Sequence, residues 1–285
     1  MNSAFHHCMQ QTSNVVTARE AEIPALGLGT WKLEGRACAE RVVNALAIGY
    51  RHLDTAQAYE NHESVGGGIR ESNVPREEIF LTTKVHRDKL RRADVLSSMD
   101  TSLKELGTDY VDLLLIHWPN ENVPLDETFD AMLELRERGR IRHIGVSNFP
   151  PSWLEEAAEE GPVVCNQVEY HALLCQEPLL RGLRSRDMAL VAYSPLAHGE
   201  VLHDDTLEKI GRQLDRSAAQ VALRWLIQQD GVCAIPKAAS RKHLEENFQI
   251  FNFALNQEQM KQIHQLARRA NERTIDPDYA PTWER

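Results

Sequence analysis

Short apolar runs alternate with longer amphipathic stretches along most of this 285-residue chain. Each run is rich in residues that favour strands, and the stretch after it carries apolar positions at helical spacing. The predicted strands are residues 25–30, 52–56, 79–85, 111–118, 141–148, 163–169, 188–194 and 232–237. In the helical stretch ADVLSSMDTSLKELG we expect Gly107 to be the C-terminal cap, and Gly139 closes DETFDAMLELRERG. Two helices, near TLEKIGRQLD and AAQVALRWLIQQ, are predicted after the seventh strand.

This alternation predicts an α/β fold with one parallel sheet, because strands that are buried on both faces are almost continuously apolar. No Pro- or Gly-rich linker and no internal repeat divides the series. We therefore interpret residues 16–285 as a single-domain (β/α)8 TIM barrel, with an open doubly wound sheet as the alternative. Residues 1–15 are interpreted as a loose polar N-terminal arm, and the C-terminal segment IDPDYAPTWER as a loop over the mouth of the barrel.

Polar side chains end seven of the eight predicted strands. In a TIM barrel, catalytic groups gather at the carboxyl ends of the strands. A purely structural barrel does not need polar groups there, so the pattern favours an enzyme or a small-molecule binder. The residues concerned are Asp54, Lys84, His117, Ser147, Asn148, Asn166, Gln167, Ser194 and Lys237.

Four residues near these strand ends could together transfer a proton to a carbonyl group: Asp54, Tyr59, Lys84 and His117. A phenol has an ordinary pKa of about 10 and is a reluctant acid. An ammonium group beside it lowers that pKa, and a carboxylate can hold the ammonium in place. A neutral imidazole can orient the carbonyl oxygen. Taken one at a time, Asp54 could equally be a helix N-cap, Lys84 a surface lysine and His117 a core histidine.

Seven motifs in order make the sequence recognisable: GYRHLDTAQAYENHESVG, LTTKV, DLLLIHWP, GVSNF, CNQVEYH, AYSPL and IPK. They resemble the aldo-keto reductase superfamily over roughly residues 15 to 270. The stretch AASRKHLEENF adds a similarity to the bacterial 2,5-diketo-D-gluconate reductases, the most similar group. The resemblance implies a (β/α)8 barrel, NADPH as cofactor, and reduction of aldehydes or ketones such as 2-oxoaldehydes and keto-sugar acids. It also implies a catalytic tetrad of Asp54, Tyr59, Lys84 and His117, with Tyr59 as general acid.

The same resemblance implies binding residues. Ser147, Asn148 and Gln167 match the contacts to the nicotinamide carboxamide, and Tyr193 matches the aromatic ring that stacks on the nicotinamide. The full set of cofactor residues is Thr30, Trp31, Asp54, Ser147, Asn148, Gln167, Tyr193, Ser194, Leu196, Lys237, Arg241, His243, Glu246 and Asn247. The substrate residues are Trp31, Tyr59, His117 and Trp118.

A phosphate site is predicted after the eighth strand. No GxGxxG motif follows a strand, so a Rossmann-type dinucleotide site is not indicated. Lys237, Arg241, Lys242 and His243 precede or begin a helix, and cations at a helix N-terminus attract phosphate. Many relatives have an arginine where this chain has His243. We therefore expect Arg241, with its planar fork of donors, to be the main contact to the 2′-phosphate of NADPH.

Composition limits the other functions. A net charge of −10 argues against general binding to nucleic acid, and no apolar run is long enough to span a membrane. Five widely spaced cysteines and an N-terminus without signal-peptide features predict a cytoplasmic protein, and we expect a monomer. A non-catalytic nucleotide-binding barrel subunit is the alternative function. A metal-dependent barrel hydrolase would need an HxH motif at the first strand, where the chain reads ALGLGTW, and no metal site is predicted.

Overall fold

The computed structural model describes residues 14–283. These begin with an antiparallel hairpin of strands β1 (Val15–Ala18) and β2 (Ala21–Pro24). The buried hairpin residue Ile23 packs with Cys165, Ala189 and Cys233, which lie inside the barrel. The hairpin thus covers the end of the barrel at which the strands start. Of the predicted N-terminal arm, residues 1–13 lie outside the described residues, while Val15 already belongs to β1.

Eight parallel strands follow in one sheet, in chain order around it. Their bounds are β3 (Leu28–Gly29), β4 (His52–Asp54), β5 (Phe80–Val85), β6 (Val111–Ile116), β7 (Ile141–Ser147), β8 (Val163–Glu169), β9 (Ala189–Tyr193) and β10 (Val232–Ala234). The first and last strands meet: Leu26 pairs with Ala234, and Gly27 N donates to Ala234 O over 2.9 Å. The sheet is a closed barrel, as predicted, and the open doubly wound sheet is excluded.

Ten α-helices surround this sheet within residues 14–283. They are α1 (Gly35–Ile48), α2 (His62–Glu71), α3 (Arg92–Leu106), α4 (Leu125–Glu137), α5 (Pro151–Glu160), α6 (Glu177–Arg184), α7 (Asp205–Leu214), α8 (Ala218–Ile227), α9 (Arg241–Phe248) and α10 (Gln257–Ala270). Gly107 caps α3 in the left-handed region (φ 67°) and donates to Leu103 O, as its position after the helical pattern predicted. The two helices predicted between the last two strands are α7 and α8.

The apolar strands have two buried faces because helices cover the outside and side chains fill the inside. On β6, Leu113 and Leu115 belong to the cluster inside the barrel, whereas Leu114 and Ile116 pack against the helices. Successive strand residues point to opposite faces, so a continuously apolar sequence serves both cores. Within the described part of the chain, none of the helices has the length and apolar character needed to cross a membrane.

Candidate active site

A cleft of about 730 Å³ opens at the carboxyl ends of the barrel strands. It gathers side chains from strands that are far apart in sequence, as expected for the functional rim of a barrel. The predicted site residues that line it are Trp31, Asp54, Tyr59, His117, Trp118, Ser147, Asn148, Gln167, Tyr193, Ser194, Leu196 and Lys237.

The remaining predicted residues lie outside this lining. Lys84 is buried directly behind Asp54, and Thr30 is buried where its hydroxyl donates to Asp54 O over 2.9 Å. Asn166, at the end of β8, also lies outside it, because its side chain donates to Phe149 O over 2.7 Å. The other residues outside the lining belong to α9 and are Arg241, Lys242, His243, Glu246 and Asn247.

Lys84 joins the parts of the predicted tetrad. Its ammonium group donates to Asp54 Oδ1 over 2.5 Å, to Thr55 O over 2.9 Å and to Tyr59 Oη over 3.2 Å. All three donors of Lys84 are therefore used, and the residue is almost fully buried. This excludes the alternative that Lys84 is a surface lysine. Asp54 is held from the other side by Gln167 Nε2, which donates to Oδ2 over 2.7 Å.

Tyr59 reaches the cleft because β4 stops at Asp54 and a short 3-10 helix, Gln57–Tyr59, carries the chain across the rim. Glu60 ends this turn in the left-handed region (φ 53°). The Tyr59 ring lies 5.7 Å from the His117 ring, centroid to centroid, at an angle of 77°. The two rings are in edge-to-face contact, so a carbonyl oxygen in the cleft beside them could face the phenol and the imidazole at once.

Burial raises the pKa of the Tyr59 phenol above its ordinary value, while the Lys84 ammonium acts in the opposite direction. The decrease in the pKa of Tyr59 that the sequence predicts is therefore wrong. The net direction is upward because the phenol is surrounded by protein groups at the base of the cleft, where its charged form is poorly solvated. Burial also opposes the charge of Lys84, but Asp54 and Tyr59 more than offset this, so the pKa of Lys84 is raised. At neutral pH the pair is therefore a protonated phenol beside an ammonium.

Burial also lowers the pKa of His117 well below its ordinary value, and the charge of Lys84 adds to the effect. The imidazole is accordingly neutral at physiological pH and carries one N–H donor. Its backbone is fixed, since His117 N donates to Val85 O over 3.1 Å and Asn148 Nδ2 donates to His117 O over 3.0 Å. His117 can thus offer a hydrogen bond without becoming a competing acid.

The three residues predicted to hold a carboxamide already bind one another. Ser147 Oγ donates to Gln167 O over 2.9 Å, and Asn148 Nδ2 donates to Ser147 Oγ over 3.1 Å. Tyr193 Oη donates to Asn148 Oδ1 over 2.8 Å, which ties the predicted stacking ring to the same network. Most donors are used within the protein, whereas the amide oxygens of Asn148 and Gln167 retain lone pairs. The group is rich in acceptors and fits the NH₂ of a carboxamide.

The predicted phosphate cluster lies at the start of α9. Ser240 caps this helix and accepts from His243 N over 3.2 Å. Arg241 is exposed, but Nε donates to Glu245 over 2.8 Å and Nη1 donates to Asn44 of α1 over 3.0 Å. Two of its nitrogens are therefore already used, which the sequence did not indicate. Lys237 lines the cleft itself.

Several lining residues were not predicted. Lys32 and His198 flank Trp31: the Lys32 ammonium lies 4.2 Å from the centroid of the Trp31 ring, and the His198 ring lies 6.0 Å from it. The C-terminal segment also contributes Thr274 and Tyr279 to the lining. Lys32 follows Trp31 directly, so its position after a strand was a signal that could have been used. Tyr279 belongs to the C-terminal segment that the sequence predicted to lie over the mouth, whereas Thr274 directly precedes that segment.

Comparison with known proteins supports the interpretation of this barrel as an oxidoreductase. Residues 25–268 match the model of the aldo/keto reductase family. Glyoxal reductase of Bacillus subtilis (strain 168) is 42% identical over 248 residues, which are 86% of this chain and 89% of the relative. Methylglyoxal reductase DkgB of Escherichia coli O157:H7 is 37% identical over 268 residues, 92% of this chain and 99% of the relative.

A solved structure gives the same result for the fold. The crystal structure of a protein provisionally named 2,5-diketo-D-gluconic acid reductase B superposes with a TM-score of 0.93 at 44% identity. The match covers 96% of this chain and 99% of the other. The chain therefore belongs to the aldo/keto reductase family, and the resemblance derived from its motifs is confirmed.

Proposed function

We propose that this protein reduces small aldehydes and ketones to alcohols with NADPH, and that Tyr59 is the general acid. The observation that carries the proposal is the position of the Lys84 ammonium, which contacts both Asp54 Oδ1 and Tyr59 Oη. A buried lysine and carboxylate in contact with a partly buried phenol are costly to maintain unless the arrangement is used. The neutral imidazole of His117 lies beside Tyr59 and offers a second hydrogen-bond donor at the same point of the cleft.

The residues act on the carbonyl oxygen as follows. Tyr59 Oη and the His117 imidazole donate hydrogen bonds to this oxygen and fix its orientation. As negative charge develops on the oxygen, Tyr59 transfers its proton to it. The Lys84 ammonium stabilises the phenolate that remains, and Asp54 keeps the ammonium in place through its 2.5 Å contact. General acid catalysis of this kind typically contributes about 10²–10⁴-fold to the rate.

NADPH, when bound, supplies the hydride that reduces the carbonyl carbon. The residues in the cleft fit such a cofactor. Amide oxygens of Asn148 and Gln167 can accept from the carboxamide, and the Tyr193 ring can pack against the nicotinamide. Glu246 and Asn247 of α9 are proposed as adenine contacts, and the cations that begin α9 as contacts to the 2′-phosphate.

The proposed substrates are 2-oxoaldehydes, keto-sugar acids and similar small carbonyl compounds. The names of the relatives, which refer to glyoxal, methylglyoxal and 2,5-diketo-D-gluconic acid, support this class. Trp31 and Trp118 line the cleft and provide aromatic walls for the carbonyl side. We also propose that the protein acts as a cytoplasmic monomer. Its four described cysteines are all free thiols, which agrees with a reducing compartment.

The experiment that tests this function follows NADPH absorbance in the presence of methylglyoxal. We expect carbonyl-dependent oxidation of NADPH, with the alcohol as product, and slower oxidation of NADH. A protein that binds NADPH but shows no turnover with methylglyoxal, glyoxal or 2,5-diketo-D-gluconate would be a nucleotide-binding barrel subunit without catalytic activity, and the proposal would be wrong.

A further inference from the structure

Glu169 is a fully buried carboxylate at the end of β8 that the proposed reaction does not use. Its oxygens accept hydrogen bonds from residues far along the chain. Oε1 accepts from Thr274 N over 2.9 Å and from the Thr274 hydroxyl, and Oε2 accepts from Ile275 N over 3.0 Å. Arg273 brings a positive charge to within 3.9 Å of Oε2. One carboxylate therefore holds three consecutive residues of the C-terminal segment.

His171 completes the surroundings of this carboxylate and is also fully buried. Its Nδ1 accepts from Leu173 N over 3.2 Å, so the ring proton lies on Nε2, which donates to Glu169 Oε1 over 3.0 Å. Hydrogen bonds to a charged acceptor are about twice as strong as neutral ones. Glu169 is hence a negative charge that is stabilised by His171 and by the segment it holds, and the segment depends in turn on that charge.

The held segment, residues 273–279, is called the strap below. Thr274, Ile275, Asp276, Pro277 and Tyr279 of the strap line the cleft that also contains Tyr59 and His117. The far end of the strap packs on the barrel: the Tyr279 ring lies 5.5 Å from the Trp118 ring at 86°, and the Arg87 guanidinium lies 4.6 Å from the Tyr279 centroid. Carboxylate contacts fix one end of the strap, and aromatic contacts fix the other.

Glu169 itself does not line the cleft, so it acts on a substrate through its neighbours, and the strap is the neighbour that it holds by hydrogen bonds to its carboxylate. It lies two residues after Gln167 on β8, and side chains two residues apart on a strand share a face. Gln167 contacts Asp54 of the tetrad. β8 thus carries Gln167, which positions the reacting groups, and Glu169, which positions the strap that forms part of the cleft wall.

From these contacts we propose that Glu169 is a positioning residue: by fixing the strap, it sets the width of the cleft where the carbonyl substrate lies and selects small carbonyl compounds over bulky ones. The inference rests on the proposed function and deepens it. Without the carboxylate charge, the strap loses its anchor and the wall formed by Ile275, Pro277 and Tyr279 moves outward. Small substrates then lose contacts, whereas larger ones gain room.

The test compares Glu169→Gln with wild type on methylglyoxal and on 4-phenylbenzaldehyde. A glutamine keeps the volume but turns an NH₂ group towards donors. We expect kcat/KM for methylglyoxal to fall about 10-fold, because KM rises while kcat stays the same. The kcat/KM for 4-phenylbenzaldehyde should be unchanged or higher. The dissociation constant of NADPH should not change. Glu272→Gln, the same chemical change on an exposed carboxyl just before the strap, is the matched control and should behave like wild type.

Two further measurements keep the outcomes separate. Hydrogen–deuterium exchange should rise in residues 273–283 of Glu169→Gln and not in β8. Thr274→Val, which removes only a hydroxyl donor, should shift the ratio of the two kcat/KM values in the same direction by a smaller factor, and it decides the matter if Glu169→Gln does not fold. An unchanged ratio in the folded variants would overturn the proposal. If wild type reduces neither carbonyl compound, the proposed function is wrong. In that case, an increase in exchange confined to the strap of Glu169→Gln would still support the anchoring of the strap by Glu169. Unchanged exchange would overturn that anchoring.

Discussion

Gln167 donates a hydrogen bond to Asp54 across the mouth of the barrel, from Nε2 to Oδ2 over 2.7 Å. The strands that carry the two residues, β8 and β4, lie on opposite sides of the barrel, with three strands between them in either direction. Lys84 takes the other oxygen of the same carboxylate. Asp54 is therefore held by an amide and an ammonium from two directions, so the position of the ammonium beside Tyr59 depends on the closed barrel as a whole.

Lys84→Met should change both the rate and the pH dependence of carbonyl reduction. The Lys84 charge lowers the pKa of Tyr59 against the larger effect of burial, so its removal raises that pKa further. Because reduction needs the protonated phenol, activity is lost as the pH rises through the pKa of Tyr59. The alkaline limb of the kcat profile should therefore move to higher pH while kcat falls. Lys209→Met, on the exposed surface of α7, is the control. A lower kcat with an unmoved limb would mean that Lys84 is only structural.

Arg241→Ala should weaken NADPH binding and leave NADH almost unchanged. A hydrogen bond to a charged group is worth about 1.5–3 kcal/mol, so we expect a loss of about 10- to 150-fold in NADPH affinity. Arg241 must release Glu245 or Asn44 to use its full fork, which favours the lower part of this range. Fluorescence titration of both cofactors measures the ratio. Arg212→Ala removes a similar arginine, paired to Glu208 four residues earlier on α7, and should have no effect.

His243 provides the competing account of the 2′-phosphate contact. If its imidazole binds the phosphate, His243→Ala rather than Arg241→Ala should lower NADPH affinity. A ratio of NADPH to NADH affinity that neither substitution alters would show that the phosphate lies elsewhere.

Stability should decrease below about pH 6.5 because His117 is held neutral. Burial lowers its pKa, so the unfolded chain takes up a proton below pH 6.5 that the folded protein does not. Above about pH 6.5 this histidine is neutral in both states, and its contribution to the free energy of unfolding is fully present. That contribution is lost as the pH falls below this value. For one such group the loss at about pH 5.5 is about 1.4 kcal/mol. Urea unfolding of His117→Asn should show a pH dependence that is smaller by about this amount, whereas His203→Asn, on the surface, should match wild type.

The sequence predicted most of the fold and the reacting groups because both follow local rules. Apolar runs located the eight strands, and polar residues at their ends located Asp54, Lys84 and His117. The hairpin of β1 and β2 was missed because each of its strands has only four residues, and only Val15 of the hairpin falls within the predicted arm.

Long-range polar contacts could not be predicted. Glu169 and Thr274 are 105 residues apart, and nothing in either stretch indicates that a buried carboxylate meets two backbone N–H groups. The same holds for Arg241, whose partner Asn44 lies 197 residues away. The net pKa direction of Tyr59 was also beyond the sequence, because it depends on how deeply the phenol is buried.

The most direct test of the account is the kcat of Tyr59→Phe with NADPH and methylglyoxal. The substitution removes only the hydroxyl that contacts Lys84 Nζ over 3.2 Å. We predict that kcat falls by about 10²–10⁴-fold, while the dissociation constant of NADPH stays the same, because the phenol donates the proton and does not hold the nucleotide. Tyr110→Phe, outside the cleft, should keep the wild-type rate. Reduction by Tyr59→Phe at a rate close to that of wild type would contradict the assignment of Tyr59 as general acid.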